Sequence, residues 1–118
     1  MITNNDTTTR SIEWAMDGLE RRSQVISDNI ANSEVPNFKA STVEFESQLR
    51  SALSADRLNG SSSSTVRNTT NGPGANGNNV RMEDELVAMI QTNLNRSAMV
   101  QSFNYKANLL RTALRGGA

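Results

Sequence analysis

A repeat in the last third of the chain constrains the fold more than any other feature. Every fourth and then every third position returns to one side of a helix, from residue 82 to residue 114. The ten positions are Met82, Leu86, Met89, Asn93, Arg96, Val100, Phe103, Ala107, Leu110 and Leu114. This spacing is typical of coiled-coil helices, whose apolar side chains form a narrow seam. It predicts a long helix over 80–115 that ends at Gly116-Gly117.

The charges and polar residues of this segment fit the same interpretation. Acidic residues occupy 83–85, while Arg111 and Arg115 lie near the other end, which complements the helix dipole. Asn93 and Arg96 interrupt the apolar seam. Buried polar residues fix the register of many coiled coils, so we hypothesise that these two set the register of an assembly.

A second amphipathic pattern lies near the start of the chain. Its apolar positions are Ile12, Ala15, Leu19, Ile26 and Ile30. This spacing predicts a helix over 11–31. Gly18 weakens that helix by about 1 kcal/mol relative to Ala, and Arg22 occupies its apolar stripe. The helix is therefore expected to need a partner.

A turn is predicted over 32–40, because Pro36 cannot continue a helix and forces its predecessor into extended geometry. Pro36 and Asn37 suit the two central positions of a type II turn, since Asn tolerates positive φ. Ser41 and Glu44 then have the spacing of a capping box, which predicts a short helix over 41–53. Its apolar stripe is Thr42, Phe45, Leu49 and Ala52 or Leu53, and Asn59-Gly60 is its expected stop signal.

The segment 54–79 is rich in Ser, Asn, Thr and Gly and has few apolar residues to build a core. Three Asn-Gly pairs could each close a hairpin, but the flanks lack alternating apolar runs. A flexible linker is therefore favoured, with a hairpin as the alternative.

Together these patterns predict a mainly α fold in a single domain, 1–118. The N- and C-terminal helices pair antiparallel in a coiled-coil-like arrangement, with the short middle helix and the flexible loop between them. A pair of thin helices would leave apolar surface facing outward, which other subunits would cover. The expected assembly interface comprises Ile12, Leu19, Ile26, Ile30, Leu86, Met89, Asn93, Arg96, Val100, Phe103, Ala107, Leu110 and Leu114.

Composition argues against several classes of function. Positive and negative charges balance at zero net charge, which disfavours nucleic acid as a partner. The chain has no Cys and no His, so thiol chemistry and the commonest zinc ligands are missing. We expect no catalytic residue, metal or cofactor, and interpret 83–85 as a favourably charged helix start. Neither a secretory signal nor a membrane-inserted segment is predicted.

The turn segment resembles the signature that follows the first helix in flagellar rod, hook and hook-associated axial proteins, Ala-Asn-x-x-Thr-Pro-Gly-Tyr/Phe-Lys. The matching residues of the family turn motif are Ala31, Asn32, Pro36, Asn37, Phe38 and Lys39, with Asn37 in the place of the Gly. Val35 replaces the Thr. The segments 77–80 and 110–116, with Met82 and Glu85, are similar to the corresponding parts of the proximal rod proteins of this family.

This resemblance implies a structural subunit of the proximal rod, required for flagellum assembly and motility. It also implies termini that are disordered in the monomer. The expected partners are further copies, other proximal rod proteins, the rod-base adaptor and the flagellar type III export apparatus. Export would occur without a cleaved signal peptide, and the final location would be the periplasmic rod. The alternative is a non-polymerising coiled-coil adaptor of a secretion apparatus, and an enzyme ranks third.

Overall fold

The computed structural model describes residues 7–58 and 62–116. Its elements, in chain order, are helix α1 (Thr7–Ala31), strand β1 (Ser41–Glu44), helix α2 (Glu46–Ser54), strand β2 (Thr65–Asn68) and helix α3 (Met82–Gly116). The mainly α fold with long helices at both ends is confirmed. The expected stop signal Asn59-Gly60 and the ends of the chain at 1–6 and 117–118 lie outside the described residues.

Helices α1 and α3 pack side by side in opposite directions, as predicted. Three contacts fix the register: Asn29 with Glu85 at 3.1 Å, Ser23 with Met89 at 3.9 Å, and Glu20 with Arg96 at 3.3 Å. The molecule measures 67 × 27 × 15 Å, so it is long and thin. Among the described residues, no helix has both the length and the apolar character needed to cross a bilayer.

The apolar stripe of α1 forms the core of the molecule. Ala15, Leu19 and Val25 pack with Val43 of β1 and with Phe45, and half-buried Leu49 and Met99 close this cluster. A second cluster joins Trp14 of α1 to Ala52 and Leu58. Helix α1 is thus covered by α3 on one side and by the strand and α2 on the other. The marginal helix inferred from Gly18 and Arg22 has partners on both sides.

The predicted short helix over 41–53 begins too early. Residues 41–44 form β1, and α2 begins only at Glu46. Ser41 caps no helix, because it lies at the start of β1. Its backbone amide and carbonyl bond to the side chain of Asn29. Of the predicted apolar stripe, Phe45, Leu49 and Ala52 face the core, whereas Thr42 and Leu53 are exposed.

The prediction of a flexible linker over 54–79 is wrong in its centre. Residues 65–68 form β2, which pairs antiparallel with β1 and places Val43 opposite Val66. The two strands are not joined by an Asn-Gly turn, because α2 lies between them in the chain. Because β1 and β2 are far apart in the sequence, no local alternation of apolar and polar residues predicts that they pair.

The apolar seam predicted for α3 is also displaced. Its positions Met82, Leu86, Asn93, Val100, Phe103 and Leu114 are exposed, while Met89, Arg96, Ala107 and Leu110 are half-buried on the side of α1. The most deeply buried residues of α3 are instead Glu85 and Thr92. Both are polar and both are hydrogen-bonded, Thr92 to the carbonyl of Ala88 at 2.7 Å. An apolar repeat does not include such residues, so the sequence pattern did not indicate their burial.

Candidate assembly interface

The turn motif adopts the predicted geometry. Asn37 has a φ of 63°, and the amide of Phe38 donates to the carbonyl of Val35 at 3.3 Å. Pro36 and Asn37 therefore occupy the two central positions of a type II turn. Pro36, Asn37 and Lys39 are exposed at the tip of the molecule. Asn in place of Gly leaves the turn intact.

The loop that precedes α3 docks onto this turn. The side-chain amide of Asn78 donates to the carbonyls of Asn32 at 2.8 Å and Val35 at 2.7 Å, and the backbone amide of Asn37 donates to the carbonyl of Asn76 at 3.0 Å. Gly77 lies against the side chain of Asn37 with a φ of 80°. Two sequence segments about forty residues apart thus form one hydrogen-bonded unit, the turn-loop unit (32–40 and 74–80).

Asn79 completes the turn-loop unit from a buried position. Its side-chain oxygen accepts from the amide of Ala40 at 2.6 Å, and its own backbone amide donates to the carbonyl of Phe38 at 3.2 Å. The side-chain nitrogen donates to Thr69 and Asn71, both at 3.2 Å. The composition of 54–79 predicted a linker, which this position of Asn79 does not fit. The run of Asn after Gly77 was the available signal, because Asn can satisfy backbone donors and acceptors outside regular structure.

Asn29 joins α1, β1 and α3 at the same end of the molecule. Only 1 % of its surface is exposed. Its side-chain nitrogen donates to the carbonyl of Ser41 at 2.7 Å and to Oε1 of Glu85 at 3.1 Å, and its oxygen accepts from the amide of Ser41 at 3.0 Å. Burial raises the pKa of Glu85, the hydrogen bond from Asn29 lowers it in part, and the neighbouring charge of Asp84 raises it further.

Arg22, unexpected in the apolar stripe of α1, holds β1 and α2 in place. Its guanidinium donates to the carbonyl of Val43 at 2.7 Å, forms an ion pair with Glu46 at 2.7 Å and lies 4.7 Å from the centre of the Phe45 ring. The hydrogen bond from Arg22 is the main cause that lowers the pKa of Glu46 to about 2. A cation over an aromatic face that also pairs with a carboxylate is a stabilising contact within the monomer.

The two long helices present different outer surfaces. The predicted interface residues of α1 are used inside the monomer: Ile12, Leu19 and Ile26 are buried and Ile30 is half-buried. The exposed side of α1 is instead charged, with Glu13, Asp17, Glu20, Arg21 and Asp28. A face like this is well solvated and needs no partner.

Helix α3 carries an apolar row on the side that points away from α1. We call it the outer row, and it consists of Val87, Ile90, Leu94, Ala98, Tyr105 and Leu109. Its five large side chains are between 52 and 67 % exposed. Helix α3 thus packs against α1 on one side and exposes an apolar row on the opposite side. The second side is the candidate assembly interface, and only part of the predicted seam lies near it.

The remaining features of the surface offer little chemistry. A cavity of about 470 Å³ lies between α1, the two strands and the start of α3, and its walls carry mostly polar side chains such as Thr42, Asn68 and Thr70. Within 7–58 and 62–116 there is no group of three His, Cys, Asp or Glu side chains that could hold a metal ion.

Paired end helices, with a Pro-Asn turn after the first that resembles the axial signature, are the arrangement expected of a flagellar axial protein. No protein-family model matches the chain. It is 34 % identical over 122 residues to the flagellar basal body rod protein FlgB of Bacillus subtilis (strain 168), which covers 93 % of this chain and 95 % of the relative. FlgB of Borreliella burgdorferi is 49 % identical over 47 residues, covering 37 % of this chain and 35 % of that protein. FlgB of Yersinia ruckeri is 34 % identical over 61 residues, covering 52 % of this chain and 44 % of that protein.

The chain belongs to the FlgB family of flagellar basal body rod proteins. The family predicted from the resemblance is thereby confirmed. Its place is the flagellar basal body, as the names of these relatives indicate.

Proposed function

We propose that this chain is a structural subunit of the proximal rod, the part of the drive shaft nearest the inner membrane. It self-associates and binds other proximal rod proteins and the rod-base adaptor, and it is required for flagellum assembly and motility. No residue has a catalytic role. The observation that supports this most directly is the outer row of α3. An exposed apolar row of this length on a small monomer is typical of a protein-protein interface.

The fold suits a shaft in two ways. Helix α3 has 35 residues and is about 52 Å long at 1.5 Å per residue, so it can contact several neighbours along its length. The turn-loop unit, with Asn29 and Arg22, fixes the strands and α2 to the helices through hydrogen bonds. Many weak packing contacts repeated around an axis add up to a stiff assembly.

We further propose that the chain reaches the periplasmic rod through the flagellar type III export apparatus, without a cleaved signal peptide. Membership of the FlgB family supports this route. Neither nucleic acid binding nor direct membrane insertion is part of the proposal, in keeping with the balanced charge of the chain.

Deletion and complementation test the rod role. We expect cells without the chain to stop assembly above the inner-membrane ring, and the wild-type chain to restore rods and swimming. The variant Ile90→Glu, at a 60 % exposed position of the outer row, should fail to complement although the protein accumulates. Gln24→Glu, which adds the same charge at an exposed position on the charged side of α1, is the matched control and should restore motility.

Composition of the purified basal body separates this role from the alternative of a secretion adaptor. A rod subunit is retained in purified rods in fixed proportion to the other rod proteins, which quantitative mass spectrometry measures. A non-polymerising adaptor would be lost on purification. Rods that form normally without the chain would refute the proposed function.

A further inference from the structure

We propose that a cavity beside Trp14 binds an acidic side chain of a neighbouring rod subunit. The inference rests on the proposed rod role and adds a specific contact to it. The cavity has a volume of about 450 Å³ and is lined by residues of α1, of α2 and of the loop that follows α2. It therefore lies on the side of α1 that is opposite to α3 and its outer row.

Trp14 contributes an unpaired hydrogen-bond donor to this place. Only 8 % of its surface is exposed, and its indole Nε1 has no hydrogen-bond partner in the part of the chain that the structure describes. An indole N–H can only donate, and buried indoles usually have an acceptor. An acceptor that enters the cavity beside the indole would meet this requirement.

Arg57 contributes a positive charge, and the end of α2 fixes its position. Asp56 has a φ of 53°, and its amide donates to the carbonyl of Leu53 at 3.2 Å. The amide of Arg57 donates to the carbonyl of Ala52 at 2.8 Å. These two bonds form a Schellman motif, which reverses the chain at the helix end and holds Arg57 on the cavity wall beside Ala52.

The cavity offers donors and positive charge but lacks negative charge. Within 7–58 and 62–116, the Arg57 side chain forms neither an ion pair nor a hydrogen bond, and no carboxylate lines the cavity. The hydroxyls of Ser51 and Ser63 on its walls are also without partners among these residues. A planar guanidinium pairs best with a carboxylate, and a carboxylate can accept from the indole and the hydroxyls as well.

The size of the cavity favours a side chain on a protein segment over a free small anion. A volume of about 450 Å³ is within the range of sites that hold drug-sized ligands, and it exceeds the volume of a single carboxylate group. An Asp or Glu side chain with its adjoining backbone suits this space. A rod subunit is surrounded by others, so a second contact on the side opposite the outer row fits the proposed rod role.

Peptide binding to the purified full-length chain tests the site, because Trp14 is the only Trp and gives a single indole resonance in NMR spectra. The blocked peptide acetyl-Ser-Glu-Ser-amide should shift this resonance saturably, and the same peptide with Gln should not. Arg57→Gln should weaken binding roughly tenfold or more. Arg50→Gln removes the same charge from an exposed position of α2 outside the cavity, and it should bind like the wild type.

Equal shifts with the Glu and Gln peptides would overturn the proposal. Sodium acetate that binds as tightly as the Glu peptide would assign the site to a free carboxylate and would overturn the subunit contact.

Complementation tests the contact in the rod. We expect Arg57→Gln to reduce swimming and Arg50→Gln to restore it, with both proteins equally helical by circular dichroism. Full motility of Arg57→Gln cells would overturn this inference. The rod role itself would still be judged by deletion of the chain and by Ile90→Glu in the outer row, so the two failures are distinguishable.

Discussion

Gly18 of α1 lies directly against the aromatic ring of Phe45, so closely that a methyl group at position 18 would overlap the ring. A glycine that weakens the helix on its own is therefore what allows the strand and α2 to pack onto it. The guanidinium of Arg22, one turn further along α1, lies 4.7 Å from the centre of the same ring. Two residues that looked like defects of an amphipathic helix both contact Phe45 and take part in the tertiary packing of α1.

Gly18→Ala should destabilise the monomer despite its better helix propensity. Overpacking of a tight site typically costs about 1–3 kcal/mol, which exceeds the gain of about 1 kcal/mol from replacing Gly in a helix. Chemical denaturation followed by circular dichroism measures the change. Gly116→Ala, in open space near the end of α3, is the control and should not lower stability.

Asn37→Gly should leave the turn and the stability of the fold nearly unchanged, because Gly adopts positive φ without strain. Asn37→Ala should instead cost about 1–2 kcal/mol, the penalty for a Cβ in left-handed geometry. Thermal unfolding of the two variants beside the wild type gives the comparison. Equal stability of the Gly and Ala variants would show that positive φ at this position carries no energetic cost.

Asn29→Ala should destabilise the fold by about 2 kcal/mol or more, since it leaves the backbone amide and carbonyl of Ser41 without their partner in a buried place. Loss of the strand pair should accompany it, visible in amide hydrogen exchange at β1 and β2. Asn93→Ala, at an exposed position of α3, is the control with an expected change within about 0.5 kcal/mol.

Glu85→Gln should remove a pH dependence of stability. The pKa of Glu85 is raised in the folded state, so the folded chain holds this proton more tightly than the unfolded chain. Its contribution to stability is therefore fully present below the ordinary value of 4.5 and is lost as the pH rises through the folded-state pKa. The Gln variant keeps an acceptor for Asn29, and its advantage over the wild type should appear at neutral pH and vanish in acid. An identical pH profile for both proteins would contradict this.

Glu46→Gln should show the opposite sign. The pKa of Glu46 is lowered to about 2, so its ion pair with Arg22 stabilises the fold above pH 4.5 and is lost as the pH falls toward 2. We expect the variant to be less stable than the wild type at pH 7 and similar to it near pH 2. The effect at pH 7 should be small, because the Glu46 side chain is 54 % exposed and well screened.

The long helices could be predicted from sequence because their periodicity is local and repeats over many turns. The strands could not, since β1 and β2 are four residues each and α2 separates them in the chain. Thr42 and Val43 are β-branched, which favours a strand, but the capping-box spacing of Ser41 and Glu44 supported a helix equally well. Only the contact between β1 and β2 decides between the two.

The candidate interface shows a similar division. The turn at Pro36 and Asn37 follows from the backbone preferences of those residues, so sequence alone was sufficient. The buried side of α3 could not be predicted in the same way, because a strict repeat of 3.5 residues drifts around a straight helix with 3.6 residues per turn. Burial of Glu85 and Thr92 depends on hydrogen bonds that only the folded chain provides.

The antiparallel direction of α1 and α3 also has an electrostatic consequence. Each helix is a macrodipole, positive at its amino end and negative at its carboxyl end. The amino end of α1 lies toward the carboxyl end of α3, so the two fields largely cancel along the 67 Å axis. Copies that stack along that axis gain almost nothing from helix dipoles, and their order and spacing must come from side chains.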